Sequence, residues 1–161
     1  MTVRVLVVDD EPDVEALFRQ QFRREVREGL YTLDFALSAL SALAILDDAI
    51  GEMIILLVSD INMPGMSGLD LLPIVKTRRP DLPVFMISAY GDADTVAAAL
   101  ARGADEFLIK PVDFPKLKRD IMAVMTDATG ATDDSATNRR DHRSSKHHRS
   151  VTAEARRGTC T

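Results

Sequence analysis

The chain has 161 residues, 46% hydrophobic and 28% charged, enough for one globular domain with a real core and too short for two comfortable ones. Its single cysteine, Cys160, excludes an intrachain disulfide framework, and the closing Gly-Thr-Cys-Thr does not fit a prenylation signal. The net charge of −5 is uneven: residues 1–127 hold 13 Lys and Arg against 21 Asp and Glu, a net of −8, and residues 128–161 hold 7 against 4, a net of +3. On charge alone the acidic part is a poor ligand for nucleic acid.

Short β-branched runs alternate with stretches of helical period. Val3–Val8 reads as a buried strand. Pro12 suits the first turn of a helix whose face is Val14, Leu17, Phe18, Gln21 and Phe22. The segment from Phe22 to Tyr31 is long for a connection, and a half-buried strand follows around Tyr31–Ala36. A helix from Ser38 then places Ala39, Ala42, Leu43 and Leu46 on one face. Met53–Ser59 is a third strand and Pro83–Ile87 a fourth. Between them Ser67-Gly68-Leu69-Asp70 opens a third helix in the manner of a capping box, although Pro73 should kink it or remove a backbone bond. Asp92–Ala101 is a fourth, Ala-rich helix and Asp105–Ile109 a fifth strand. Asp113 can cap a fifth helix that turns Phe114, Leu117, Ile121 and Val124 inward.

Strand and helix thus alternate five times, which predicts a parallel five-stranded sheet wound with helices on both faces. Large apolar residues nearly stop after Met125, so the domain is set at 1–127 and residues 128–161 are expected to be a disordered, mildly basic tail.

In such a sheet, reactive groups collect at the carboxyl ends of the strands. Here those ends read Asp9-Asp10-Glu11, Ser59-Asp60, Ser88-Ala89 and Lys110-Pro111. Each is ordinary by itself: an Asp pair is a turn or cap, Ser88 a structural hydroxyl, Lys110 a solvated charge. Together they would gather several carboxylates, a hydroxyl and an ammonium. Clustered carboxylates repel unless a cation joins them, and Mg²⁺ takes this kind of oxygen ligand. A carboxylate held there can attack phosphorus, with metal and lysine neutralising the developing charge.

Val7-Val8-Asp9-Asp10-Glu11, Ser59-Asp60-Ile61-Asn62-Met63-Pro64-Gly65-Met66-Ser67-Gly68, Ile87-Ser88-Ala89 and Lys110-Pro111 together resemble the receiver domains of bacterial two-component response regulators, over residues 3 to about 126. The resemblance implies a flavodoxin-like (βα)₅ fold and phosphorylation by a sensor histidine kinase or phosphotransfer protein. It implies Asp60 as phosphoacceptor, Asp10 as direct Mg²⁺ ligand, Asp9 acting through water, and the Asn62 backbone carbonyl as a further ligand. Ser88 stands at the switch Ser/Thr position, Lys110 at the phosphate-pairing lysine and Phe107 at the switch aromatic. The Lys110–Pro111 bond would be cis by the same analogy. Tyr90, two residues past Ser88, either overhangs the phosphoryl group or is an exposed loop aromatic.

The expected output is a change of binding surface on the fourth helix, fifth strand and fifth helix, read by a downstream protein effector. No output domain is evident after residue 127, so either the receiver acts by protein contacts alone or an effector domain lies elsewhere. A competing enzyme reading is a Mg²⁺-dependent phosphatase with an aspartyl nucleophile; haloacid-dehalogenase-like phosphatases place a second acid where this chain has Asn62. The tail's Arg139, Arg140, Arg143, Lys146, Arg149, Arg156 and Arg157 are either a solvated segment or a basic arm, and His142, His147 and His148 lack metal-site spacing. With no leader-like N-terminus and no apolar run long enough for a bilayer, the expected location is cytoplasmic, with neither membrane nor direct DNA contact.

Overall fold

The computed structural model describes residues 3–48 and 52–129. Its elements run β1 (Arg4–Val8), α1 (Pro12–Gln21), α2 (Arg23–Arg27), β2 (Thr32–Ala36), α3 (Ala39–Asp47), β3 (Ile54–Asp60), α4 (Gly68–Arg78), β4 (Val84–Ser88), α5 (Ala93–Ala101), β5 (Glu106–Ile109) and α6 (Phe114–Thr129). The strands form one parallel sheet in the order β2-β1-β3-β4-β5. The step from β1 outward to β2, and back across it to β3, is the point where the winding reverses, and strand ends converge there. Internal contacts divide the chain into Met1–Val124 and Met125–Thr161, and the fold described is that of the first unit.

Alternation along each strand sends residues to opposite faces. On one face Leu6, Val8, Ala36 and Leu57 pack with Leu43, Leu46, Leu71, Leu72 and Val75 of α3 and α4. On the other, Phe18, Phe22, Tyr31, Phe35 and Phe114 form a ring cluster, with Phe18 stacked on Phe22 at 5.7 Å and edge-on to Phe114 at 5.2 Å. The strands β3 and β4 are covered from both sides and almost wholly buried, so they read as continuous apolar runs in the sequence.

Helix starts follow local chemistry. The side chains of Ser38, Ser67, Asp92 and Asp113 accept the amides of Ser41, Asp70, Thr95 and Lys116, which satisfies donors that have no partner inside the helix. Pro12 occupies the first turn of α1.

Three expectations change in detail. The predicted face of α1 is narrower: Phe18 and Phe22 carry the packing, whereas Leu17 is 43% exposed and Gln21 faces solvent. The long Phe22–Tyr31 connection holds an additional helix, α2, closed by Gly29 at φ 78°. α6 continues through Thr129, two residues past the expected boundary at 127. The rest of the expected tail, with its arginines and histidines, lies outside the described residues.

Pro73 does not kink α4 into two pieces; the helix runs from Gly68 to Arg78 with the proline inside. The missing Pro73 amide leaves the Leu69 carbonyl without its helical donor, and Arg102 Nη1 donates to that oxygen at 2.8 Å instead.

Candidate phosphoacceptor site

The ends of four strands, β1, β3, β4 and β5, build the site. β1 stops at Val8, and Asp9 follows with its amide donating to the Ala36 carbonyl at 3.1 Å. That bond carries the parallel ladder one residue past the strand and fixes where the Asp9 side chain emerges. One Asp9 carboxylate oxygen then accepts the Glu11 amide at 3.0 Å, which turns the chain into α1. Asp60 is the last residue of β3, one residue later than the sequence suggests. Its carboxylate accepts the amide of Ile61 at 3.0 Å, and Ser59 Oγ donates to its carbonyl at 2.9 Å.

Lys110 follows β5, with its amide donating to the Ser88 carbonyl at 2.9 Å, so the ends of β4 and β5 are tied together. The Lys110–Pro111 bond is cis. Asp9, Asp60 and Ser88 are buried, while Asp10 and Lys110 are half-buried at the mouth.

These placements bring one carboxylate oxygen each from Asp9, Asp10 and Asp60 to within 4.8 Å of one another. Lys110 Nζ stands 3.5 Å from Asp60 and 3.7 Å from Asp9. One ammonium therefore faces two buried carboxylates and a third at the rim. Burial holds the Asp60 carboxyl above its ordinary value, the neighbouring Asp9 adds to the rise, and Lys110 opposes it. The cluster is short of positive charge. An all-oxygen donor set with that shortfall suits a small hard divalent cation rather than a soft one.

Of the remaining candidates, Ser88 Oγ accepts the Tyr90 amide at 3.0 Å, leaving its own hydrogen free to turn toward another acceptor. Phe107 is half-buried and packs against the core cluster that holds Met86 and Ala99. Tyr90 is 66% exposed. Asn62 is exposed in the loop two residues past Asp60.

Sequence reasoning passed over one residue that shapes the site. Gly68 begins α4 with its amide donating to the Ile61 carbonyl at 2.8 Å. A Cβ there would clash with the Asp60 carbonyl and lie 2.9 Å from the Ile61 Cα. Only glycine lets the helix approach the strand end this closely. The signal was present in Met-Pro-Gly-Met-Ser-Gly, but a loop motif does not say which glycine meets backbone.

Comparisons with known proteins point to one family. The family model of the response regulator receiver domain matches residues 5–122. The chain is 39% identical over 115 residues to the response regulator protein PilR of Pseudomonas aeruginosa, covering 71% of this chain and 24% of PilR. It is 37% identical over 115 residues to the nitrogen assimilation regulatory protein NtrX of Azorhizobium caulinodans, covering 70% and 24% of the two chains. It thus spans about a quarter of the length of these relatives. Among solved structures, a response regulator receiver domain protein from Clostridium thermocellum superposes with a TM-score of 0.70 at 26% identity, over 79% of this chain and 97% of the other. A CheY-like receiver domain protein from Methanospirillum hungatei gives 0.69 at 27% identity, over 79% and 96%. With the sheet order, the acidic cluster and the family match in agreement, the chain belongs to the response regulator receiver domains of two-component signalling.

Proposed function

We propose that Asp60 accepts a phosphoryl group from a histidine kinase or phosphotransfer protein, and that the domain then presents a changed surface to a downstream protein. The observation that supports this most directly is the convergence of Asp9, Asp10 and Asp60 within 4.8 Å, with Lys110 in reach of two of them. Asp10 and Asp60, with the Asn62 carbonyl, would hold Mg²⁺ directly and Asp9 through water. When bound, the metal neutralises charge on the transferring group.

The chain's own residues do the rest. A carboxylate oxygen of Asp60 forms the new bond to phosphorus while the P–N bond of a phosphohistidine donor breaks, its electron pair staying on the imidazole. Burial and Asp9 work against the ionised form of Asp60, and nearby positive charge favours it, as Lys110 already does. Lys110 pairs with the phosphoryl oxygens and stabilises the charge they carry. The Ser88 hydroxyl then donates to a phosphoryl oxygen, and Phe107 follows into the space it leaves. The two packings differ by these few contacts, which is enough to shift a population between them.

Incubation with acetyl phosphate and Mg²⁺ tests the chemistry. Intact mass should show one phosphoryl adduct on the wild-type chain, absent with EDTA and absent in Asp60→Asn. Labelling that survives in Asp60→Asn would place the nucleophile elsewhere. One further relative, ZraR of Klebsiella oxytoca, is named a transcriptional regulatory protein, yet the −8 charge of residues 1–127 argues against DNA contact by the receiver part itself. Among the described residues no helix is long and apolar enough to cross a membrane.

A further inference from the structure

β2 is one of the two outer strands of the sheet and pairs only with β1. Its hydrogen bonds define which main-chain groups are used. The Thr32 amide donates to Val3 at 3.0 Å, and the Ala36 carbonyl accepts from Asp9 at 3.1 Å. In a parallel ladder alternate residues point the same way, so Thr32, Asp34 and Ala36 face β1. The amides and carbonyls of Leu33 and Phe35 therefore point outward, along the open edge.

That edge lies in a trough. One groove of about 380 Å³ is lined by Arg19, Arg23, Val26, Arg27, Thr32 and Leu33. A second, of about 300 Å³, runs beside Leu33 and Phe35, and there Glu15, Asp34 and Asp48 line it, so the basic character is confined to the α2 end. The two share Arg19 and Leu33. Its rim is basic at the α2 end, on a domain whose net charge is −8. Arg19 pairs with Glu15 and covers the Phe35 ring at 4.6 Å. Arg23 and Arg27 are exposed and make no ion pair among the described residues. Val26, between them, is 38% exposed and faces the same groove. All three belong to α2, the helix that fills the long first crossover.

We propose that a partner protein docks here by strand addition, laying along β2 an extended segment whose acidic half lies at the α2 end. Its main chain pairs with Leu33 and Phe35, its carboxylates meet Arg23 and Arg27, and an apolar side chain enters the groove beside Val26. Two outward main-chain pairs at alternate positions favour an extended peptide, because they offer the repeat of a strand. The guanidinium rim selects carboxylates by paired hydrogen bonds. Residues 128–161, at net +3, have the wrong sign for that rim.

The experiment uses the full chain and a labelled probe of about ten residues that alternates Val or Thr with Glu in the half that meets α2 and with Ser in the half that meets Phe35, the alternation strand addition requires. Anisotropy should rise saturably for this probe and not for one with Lys in place of Glu. The Arg23→Glu/Arg27→Glu chain should bind at least about tenfold more weakly, and so should wild type with a probe N-methylated along one main-chain edge. On binding, amide exchange should slow at Leu33 and Phe35 and stay unchanged at Asp34. No saturable binding near ~1 mM, the weak limit of useful affinity, overturns the proposal. So does equal binding of the lysine probe or of the N-methylated probe. Protection of Leu33 and Phe35 that grows with protein concentration alone would assign the edge to a second copy and overturn it too.

Discussion

The carboxyl of Asp60 sits where ionisation is resisted, by burial first and by Asp9 second, with Lys110 making up only part of the loss. A carboxyl whose value is raised on folding favours its proton in the folded state. Its contribution to stability is complete below the ordinary aspartate value of 3.8 and is lost as pH rises through the raised value. Asp60→Asn removes that loss. Without metal, the variant should melt higher than wild type at pH 7. The gain should vanish as pH falls to about 4, where free aspartate itself becomes protonated. Thermal melts of both chains from pH 7 to pH 4 in EDTA check this, and a gain independent of pH would mean another cause.

Tyr31 poses the opposite case. Its ring is fully buried against Phe22, while its hydroxyl has no hydrogen-bond partner among the described residues. Burial, and then the charge of Glu25, hold the hydroxyl's ionisation far above the usual range. A buried hydroxyl without a partner is a liability, and deleting it leaves the ring packing in place. Tyr31→Phe should therefore lie within about 0.5 kcal/mol of wild type or be more stable. Chemical denaturation showing a loss beyond about 1 kcal/mol would reveal a bridging water that the hydroxyl depends on.

Between elements, the contact of Arg102 with α4 is the one that local rules do not anticipate. Pro73 takes away the donor for the Leu69 carbonyl, and a side chain from the end of α5 replaces it. Arg102 also lies 3.7 Å from Asp70, one turn before the proline. Arg102→Ala should cost about 1 kcal/mol, because an acceptor is left without its donor. In a Pro73→Ala background the restored amide recovers the Leu69 carbonyl, and the same substitution should cost less. A double-mutant cycle by denaturant melts measures the coupling. Equal costs in both backgrounds would show that Arg102 acts only through Asp70.

For the molecule as a whole, fold and site are coupled through the strand tips. The oxygens that face one another come from two strands, β1 and β3, which are adjacent only because β2 is wound to the outside. A cation bound there links the ends of the sheet and is absent from the unfolded chain. Mg²⁺ at about 100 times its dissociation constant should therefore add ~2.7 kcal/mol of stability. Asp10→Asn should reduce that increment, and acidification should abolish it, since protonated carboxyls do not bind. Melts titrated with MgCl₂ test this, and an increment unchanged in Asp10→Asn would move the metal site away from Asp10.

Much of this architecture could be read directly from residue order. The β-branched runs, the capping serines and aspartates and the 3.6-residue faces are local, so period and composition expose them, and burial of Ala39, Ala42, Leu43 and Leu46 follows the expected face of α3. Strand ends were misjudged by one residue at Asp60 and Ser88 because a ladder continues as long as a neighbouring strand supplies partners. Leu17 looked like a core residue because helical period marks a face without stating how wide its neighbour is.

By itself, the sequence determined the alternation of elements, and with it a parallel sheet bearing acids at its tips. It also carried the family resemblance. Tertiary structure alone decided that Gly68 must be glycine, that α2 fills the first crossover, that Arg102 replaces a proline's missing donor, and how far Lys110 stands from each carboxylate. Those are distances between segments remote in the chain. They arise from packing, which period and composition do not encode.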